Sequence, residues 1–332
     1  MAQRIVFPRK DEVELEEFDL DDVGDGALWL RSTHSLMSTG TEGIALHGLF
    51  DDGTHWSRYV RYPFHPGYST VGAVEAVGPG VTDFAAGDRV VARLGHASDH
   101  VVPTKLCTRV PDGVPSEPAV WFGLAKIALM GARAAGYELG DAVAVIGAGP
   151  TGQMSVRWAS VAGARFVVSV DTVAGRLDLA RLGGATGTVA AAVDSAAESV
   201  IEACGGRRPR VVVDGTGNAA VFGAALGLVA DRGRLVVLGD TGTPAGQHLT
   251  SDVIMRGITV VGAHDAHSAT GPGWDRDRGL HEFFFELVLS GRFKVEGLTS
   301  HVFSPKDCAL AYETAHLRRG NTMGIVFDWS MA

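Results

Sequence analysis

The chain has 332 residues, long enough for two domains, and its 46% hydrophobic and 20% charged content is that of an ordinary soluble protein. A net charge of −9 with no basic run argues against nucleic acid or an anionic membrane as partner. Three scattered cysteines, Cys107, Cys204 and Cys308, supply neither a disulfide framework nor the CxxC spacing of a structural zinc site.

The opening run "MAQRIVFPRKDEVELEEF" lacks the apolar core of a signal peptide, and no stretch of about 18 uninterrupted apolar residues follows. The expectation is a cytoplasmic protein with no membrane span. Residues 1–115 read as short strands broken by Gly, Pro and Asp, such as "AVEAVGPGV" and "DRVVARL". Helical spacing is nearly absent until "SEPAVWFGLAKIALMGARAAGY" (116–137), with Ser116 and Glu117 as start signals and Gly136 as a stop. Apolar strands and helices then alternate: "AVAVIGAG", "TGQMSVRWASVAG", "FVVSVD", "VAGRLDLARLGG", "RVVVDGTG", "AVFGAALGLVA", "GRLVVLGD" and "GITVVGAH". That alternation means a parallel sheet covered on both faces. After about residue 264 come a polar loop, the helix "LHEFFFELVLSG", the strand "LTSHVF", a helix and a last strand "TMGIVFDW".

Within "AVAVIGAGPTGQM", Gly147, Gly149 and Gly152 have GxGxxG spacing directly after a strand and open a helix through Pro150 and Thr151. The first glycine permits the turn, the second admits a pyrophosphate, and the third lets helix and strand pack closely, with the helix N-terminus facing the anion. Asp171 ends the next strand about 20 residues later, where a carboxylate takes ribose hydroxyls and repels a 2′-phosphate. NAD(H) is therefore favoured over NADP(H), although Arg176 nearby is a residue that helps a phosphate.

Several ordered motifs resemble those of the medium-chain dehydrogenase/reductase superfamily, the zinc alcohol and polyol dehydrogenases. "STGTEGIALHG" (38–48) is similar to its "CGTDxHxxxG", and "PGYSTVGAVEAVGPGVTDFAAGDRVV" to its "xGHExxGxVxxVGxxVxxFxxGDRV". "SDHVVPTKLCTRVPDGVPSEPA", "GDAVAVIGAGPTG" and "LTSHVFSPKDCALAYE" extend the likeness over nearly the whole length. The resemblance implies an α/β protein: a Rossmann doubly wound parallel sheet inserted in a GroES-like β-rich domain. The expected bounds are 1–116 for the substrate and catalytic domain, 117–263 for the dinucleotide domain and 264–332 for the return, with the active site in the cleft between domains.

The departures matter as much. The family's first ligand cysteine falls at Thr39, its His-Glu pair at Tyr68 and Ser69, and, counting back from the glycine turn, its third ligand cysteine at Phe122. Hydroxyls, a phenol and a phenyl ring do not hold zinc tightly, and the four-cysteine structural lobe is missing, so the resemblance points to a zinc-lacking member with no metal. Charge on the reacting oxygen then needs an organic donor. The candidates are Tyr68 at the old ligand site, Thr41 at the place of the family's relay hydroxyl, and Lys126 at a position lining the nicotinamide. Lys126 could lower the pKa of Tyr68 or act as the electrophile, and on an apolar helix stripe it needs a partner. The bland alternatives are a Tyr68 that only fills space and a Lys126 that snorkels to solvent.

By the same resemblance, "DGTGN" with Thr216 lies towards the adenosine and "LGDTG" with Leu238 and Gly239 towards the carboxamide, while His264 and His267 of "AHDAHS" line the cleft. The last sheet strand, "ITVVGA", offers an edge where the family commonly dimerises, so a homodimer is expected. The "STGTE" element is similar to that of bacterial dehydrogenases acting on bulky biosynthetic intermediates, including the bacteriochlorophyllide dehydrogenase type. The leading expectation is NAD(H)-dependent interconversion of a secondary alcohol and a ketone on such a small-molecule substrate. A zinc-free enone or quinone reductase and a non-catalytic dinucleotide-binding protein stay open beside it.

Overall fold

The computed structural model describes residues 1–267 and 276–332, without the side chains of 267, 276 and 277. It divides into two compact units: Met1–Gly123 with Gly271–Ser290 and Glu296–Ala332, and Leu124–Thr270 with Gly291–Val295.

The second unit is built on six parallel strands. Their order is Gly187–Ala190, Phe166–Asp171, Ala142–Ile146, Val211–Asp214, Arg234–Val237 and Thr259–Gly262. Numbered along the chain this is 3-2-1-4-5-6, the doubly wound dinucleotide-binding order, which reverses direction beside Ala142–Ile146. The central strands are apolar runs because both faces are covered: Val143, Ala144, Val145, Val211, Val212 and Val213 have no exposed surface. Each such valine contributes on the order of 1.5–3 kcal/mol of burial. The edge strand Thr259–Gly262 is mostly exposed and pairs on one side only.

The first unit is β-rich, as a GroES-like domain should be. Seven strands form its main sheet, with Ala27–Leu36 bonded to Thr70–Val77, Asp99–Pro103 and the C-terminal Gly324–Asp328. Two apolar clusters fill it, one around Phe7, Trp56, Tyr312 and Phe327, the other around Leu28, Leu30, Val90 and Val102.

Three readings of the sequence need correction. Two helices, Thr39–His47 and His55–Tyr59, precede residue 116; "TGTEGIALH" hid the first because two glycines interrupt its apolar spacing. The helix expected over 116–137 is two, Ser116–Ala119 and Phe122–Ala135, separated where the Val120 carbonyl accepts the Ser69 hydroxyl at 2.6 Å. Gly136 does stop the second, with φ of +57°. The strand Gly187–Ala190 and the helix Ala197–Ala203 arise from a run of small residues that shows no period. Among the described residues no helix is long and apolar enough to cross a membrane.

Candidate active site

The dinucleotide half of the site grows out of one strand end. Ala142–Ile146 leaves the sheet into Gly147, at φ +84°, and the helix Pro150–Val161 opens at Gly149 with Pro150 in its first turn. A Cβ on Gly152 would stand 1.8 Å from the Gly147 carbonyl oxygen, so backbone meets backbone and only glycine fits. Beside Gly149 the nearest atom to an added Cβ is Arg176 Nη1 at 3.8 Å, which leaves the approach that a pyrophosphate requires above the unpaired N–H groups of the first turn. The residues present therefore fit a dinucleotide.

Asp171 ends the neighbouring strand and is locked in place. Its two oxygens accept the Ala148 N–H at 2.7 Å and the Val173 N–H at 2.8 Å, and Arg176 lies 3.9 Å away. Each carboxylate oxygen keeps a further lone pair for a ribose hydroxyl. Behind the turn, the Gln153 amide donates to the carbonyls of Ala148 and Arg176, and the fully buried Arg157 donates to Gln153 in turn. Neither residue carried a sequence signal beyond being polar on a buried helix.

The loops after the next two strands converge on the same edge. Thr216 donates its N–H and its hydroxyl to Asp214 Oδ1, at 2.9 and 2.7 Å. Burial pushes the Asp214 carboxyl up and the Thr216 bonds oppose it. Backbone around Gly217 packs against Gly239, and Leu238 is buried over Gly131. His264 is exposed, and its Nδ1 accepts the Ala266 N–H at 3.0 Å, a local turn contact. The His267 side chain lies outside the described residues.

Lys126 does not snorkel. Its side chain is 3% exposed and its Nζ lies 2.8 Å from Asp265 Oδ1, in the turn after the last strand of the sheet. Asp265 is the partner that a buried lysine demanded, and it escaped notice because only the fold brings 126 and 265 together.

In the other unit, Tyr68 and Thr41 come together. Tyr68 is partly buried, its hydroxyl donates to Ser38 Oγ at 2.5 Å, and the Arg93 guanidinium stacks 4.3 Å over its ring. Burial pushes the phenol's pKa up; Arg93 and the hydroxyls of Ser38 and Thr41 pull against it, and Glu42 adds to the rise. The net direction is upward, so the lowering anticipated from a neighbouring ammonium is not what these surroundings produce. Tyr68 is a protonated donor at neutral pH.

The remaining positions expected to hold ligands in zinc-containing relatives are committed elsewhere. Ser69 is buried against Val120, and Phe122, with no exposed surface, meets the His281 ring edge-on at 4.7 Å between centroids. Thr39 opens the helix that carries Thr41. These side chains offer no thiolate, imidazole or carboxylate, so they do not fit a zinc ion. Among the described residues no group of three His, Cys, Asp or Glu is arranged to hold a metal.

Two family models match the chain, an alcohol dehydrogenase GroES-like domain over residues 37–117 and a zinc-binding dehydrogenase domain over 150–271. The chain belongs to the medium-chain dehydrogenase/reductase superfamily. Within that superfamily it is 27% identical over 274 residues to D-guloside 3-dehydrogenase of Escherichia coli K12, spanning 80% of this chain and 78% of the relative. It is 28% identical over 312 residues to L-threonine 3-dehydrogenase of Anaeromyxobacter dehalogenans, spanning 83% and 85%. A short chain alcohol dehydrogenase from E. coli CFT073, solved with NADH, superposes with a TM-score of 0.82 at 18% identity over 99% of both chains, a likeness of fold. The chain is thus an oxidoreductase of the medium-chain type.

Proposed function

We propose that the protein is a zinc-independent, NAD(H)-dependent oxidoreductase that interconverts a secondary alcohol and a ketone, with Tyr68 as the proton donor in the reducing direction. The observation that carries this reading is the Tyr68 hydroxyl, hydrogen-bonded to Ser38 at the position where zinc-containing relatives are expected to place a ligand.

When bound, the nicotinamide supplies or accepts a hydride. Gly147, Gly149, Pro150, Thr151 and Gly152 hold the pyrophosphate, and Asp171 takes the adenosine ribose and disfavours a 2′-phosphate. Thr216, Leu238, Gly239 and His264 complete the dinucleotide wall. Tyr68 gives its proton to the oxygen of the ketone, and Thr41 holds that oxygen or relays the proton onward. Lys126, held in place by its ion pair with Asp265, stabilises negative charge developing on the substrate oxygen at the nicotinamide end. The substrate in this reading is a bulky biosynthetic intermediate, taken by residues 1–116 and 264–332, with 117–263 as the dinucleotide domain. A homodimer paired through the exposed edge Thr259–Gly262 and a cytoplasmic location complete it.

The test is Tyr68→Phe assayed with a panel of bulky ketones and NADH. Turnover should fall about 100-fold or more with little change in dinucleotide affinity, and chelators should leave the wild type active. Near-native turnover of the variant, or zinc bound one per chain with chelator-sensitive activity, would refute the proposal.

A further inference from the structure

Ser38 stands at the N-cap of the helix Thr39–His47, and serine is a residue type favoured there because its hydroxyl accepts an N–H of the first turn. The Ser38 hydroxyl makes no such bond. It accepts the Tyr68 hydroxyl instead. The complementary half of a capping arrangement is intact: Glu42, one turn into the helix, reaches back and accepts the Ser38 backbone N–H at 2.7 Å.

That carboxylate is held from every side. Glu42 is 1% exposed; its Oε2 accepts the Tyr312 hydroxyl at 2.5 Å and lies 3.1 Å from His96 Nε2. His96 Nδ1 sits 2.7 Å from Ser35 Oγ, which also accepts the Trp329 indole N–H at 2.9 Å. Donors and acceptors balance with His96 protonated on Nε2: Trp329 donates to Ser35, Ser35 to His96, and His96, Tyr312 and the Ser38 N–H all donate to Glu42. Every member is buried, so the Ser38 backbone is pinned while its hydroxyl rotor stays available to Tyr68.

We propose that Ser38, anchored through its backbone by Glu42, is the positioning residue for the Tyr68 hydroxyl, and that the hydrogen bond between the two reverses during turnover. This rests on the reading of Tyr68 as proton donor. In the resting protein Tyr68 donates to Ser38. For transfer, the Tyr68 hydrogen turns to the substrate oxygen and the Ser38 hydrogen turns to the Tyr68 oxygen. The Tyr68 O–H bond breaks, a substrate O–H bond forms, and Ser38 keeps its own proton while donating to the phenolate. Water then returns a proton to Tyr68. Arg93 over the ring and Glu42 behind Ser38 are the charged groups acting on that phenolate, the first stabilising it and the second opposing it.

The experiment compares Ser38→Ala, Ser38→Thr, Tyr68→Phe and the double variant Ser38→Ala/Tyr68→Phe. One readout is kcat and KM across pH. The other is Tyr68 ionisation in the resting protein, from tyrosinate difference absorbance against Tyr68→Phe. Ser38→Ala should lower kcat about tenfold or more, leave KM for the dinucleotide unchanged and move Tyr68 ionisation to higher pH. Ser38→Thr, which keeps the hydroxyl, should restore most of both, and the double variant should be no slower than Tyr68→Phe. Losses that multiply in the double variant, or an unmoved Tyr68 ionisation in Ser38→Ala, would overturn the inference. Full activity in Tyr68→Phe would sink the reading of Tyr68 as donor, and the reversal with it; the ionisation measurement would then decide the resting contact separately.

Discussion

The ion pair between Lys126 and Asp265 gives a prediction whose size and asymmetry both follow from burial. The ammonium is 3% exposed and the carboxylate 17%, at 2.8 Å. Removing one member of a buried pair leaves the other charged in a poor solvent, which costs about 3–5 kcal/mol when burial is complete. Lys126→Met strands the better-hydrated partner, so its cost should be about 2–3 kcal/mol. Asp265→Asn strands the more deeply buried ammonium and should cost more. The double variant Lys126→Met/Asp265→Asn strands nothing and should recover most of the loss. At about 2–4 °C per kcal/mol for a unit of this size, the first variant should melt about 5–10 °C below the wild type. Scanning calorimetry of the four proteins without dinucleotide closes the cycle. Single losses that simply add in the double variant would refute the coupling, and a single variant within 1 °C or so of wild type would remove the pair from the stability of this unit.

Asp171→Asn should cut the preference for NAD over NADP by about tenfold or more in kcat/KM, because the charge facing a 2′-phosphate is gone; an unchanged ratio would take the choice away from Asp171. Gly152→Ala places a methyl against an immovable carbonyl and should cost more than about 4 kcal/mol in the turn, read as lost dinucleotide binding by fluorescence titration. Burial pushes the His100 imidazole down to about 4 from its ordinary 6.5, with Asp99 opposing. The unfolded chain therefore binds the extra proton first. The stability His100 contributes is complete above pH 6.5 and is lost as the pH falls towards about 4, by up to about 3 kcal/mol. His100→Gln should flatten that part of the urea-midpoint curve, and an unaltered slope between pH 7 and 4.5 would contradict the assignment.

Much of the dinucleotide unit was legible in the chain because its rules are local. A buried parallel strand must be apolar throughout, as Val143–Ile146 and Val211–Val213 are, and a strand that turns into a helix over a phosphate needs glycine where backbones touch. The candidate acid was legible only as a departure: Tyr68 stood where a family motif led one to expect histidine. What the sequence withheld depends on chain segments meeting. Asp265 lies 139 positions from Lys126 by their numbers, and Arg93 reads as one more residue of a strand until its guanidinium is seen over Tyr68. Ser38 carried no signal of its own in the sequence, since its hydroxyl serves Tyr68, 30 positions away, and only the fold brings the two together. The short helices before residue 116 failed for another reason: their stability comes from Ala45, Leu46 and Trp56 in the core rather than from intrinsic propensity.

The strand Gly324–Asp328 is an interior member of its sheet, flanked by Ala27–Leu36 on one side and Thr299–Phe303 on the other. The Arg157 guanidinium, likewise, finds the carbonyl of Lys294, so the dinucleotide unit waits for a piece of chain made long after its last strand. On the ribosome, neither unit can reach its final form until Lys294, for the one, and Gly324–Asp328, for the other, have emerged. Loss of Gly324–Asp328 would remove a strand from within the sheet rather than trim its edge.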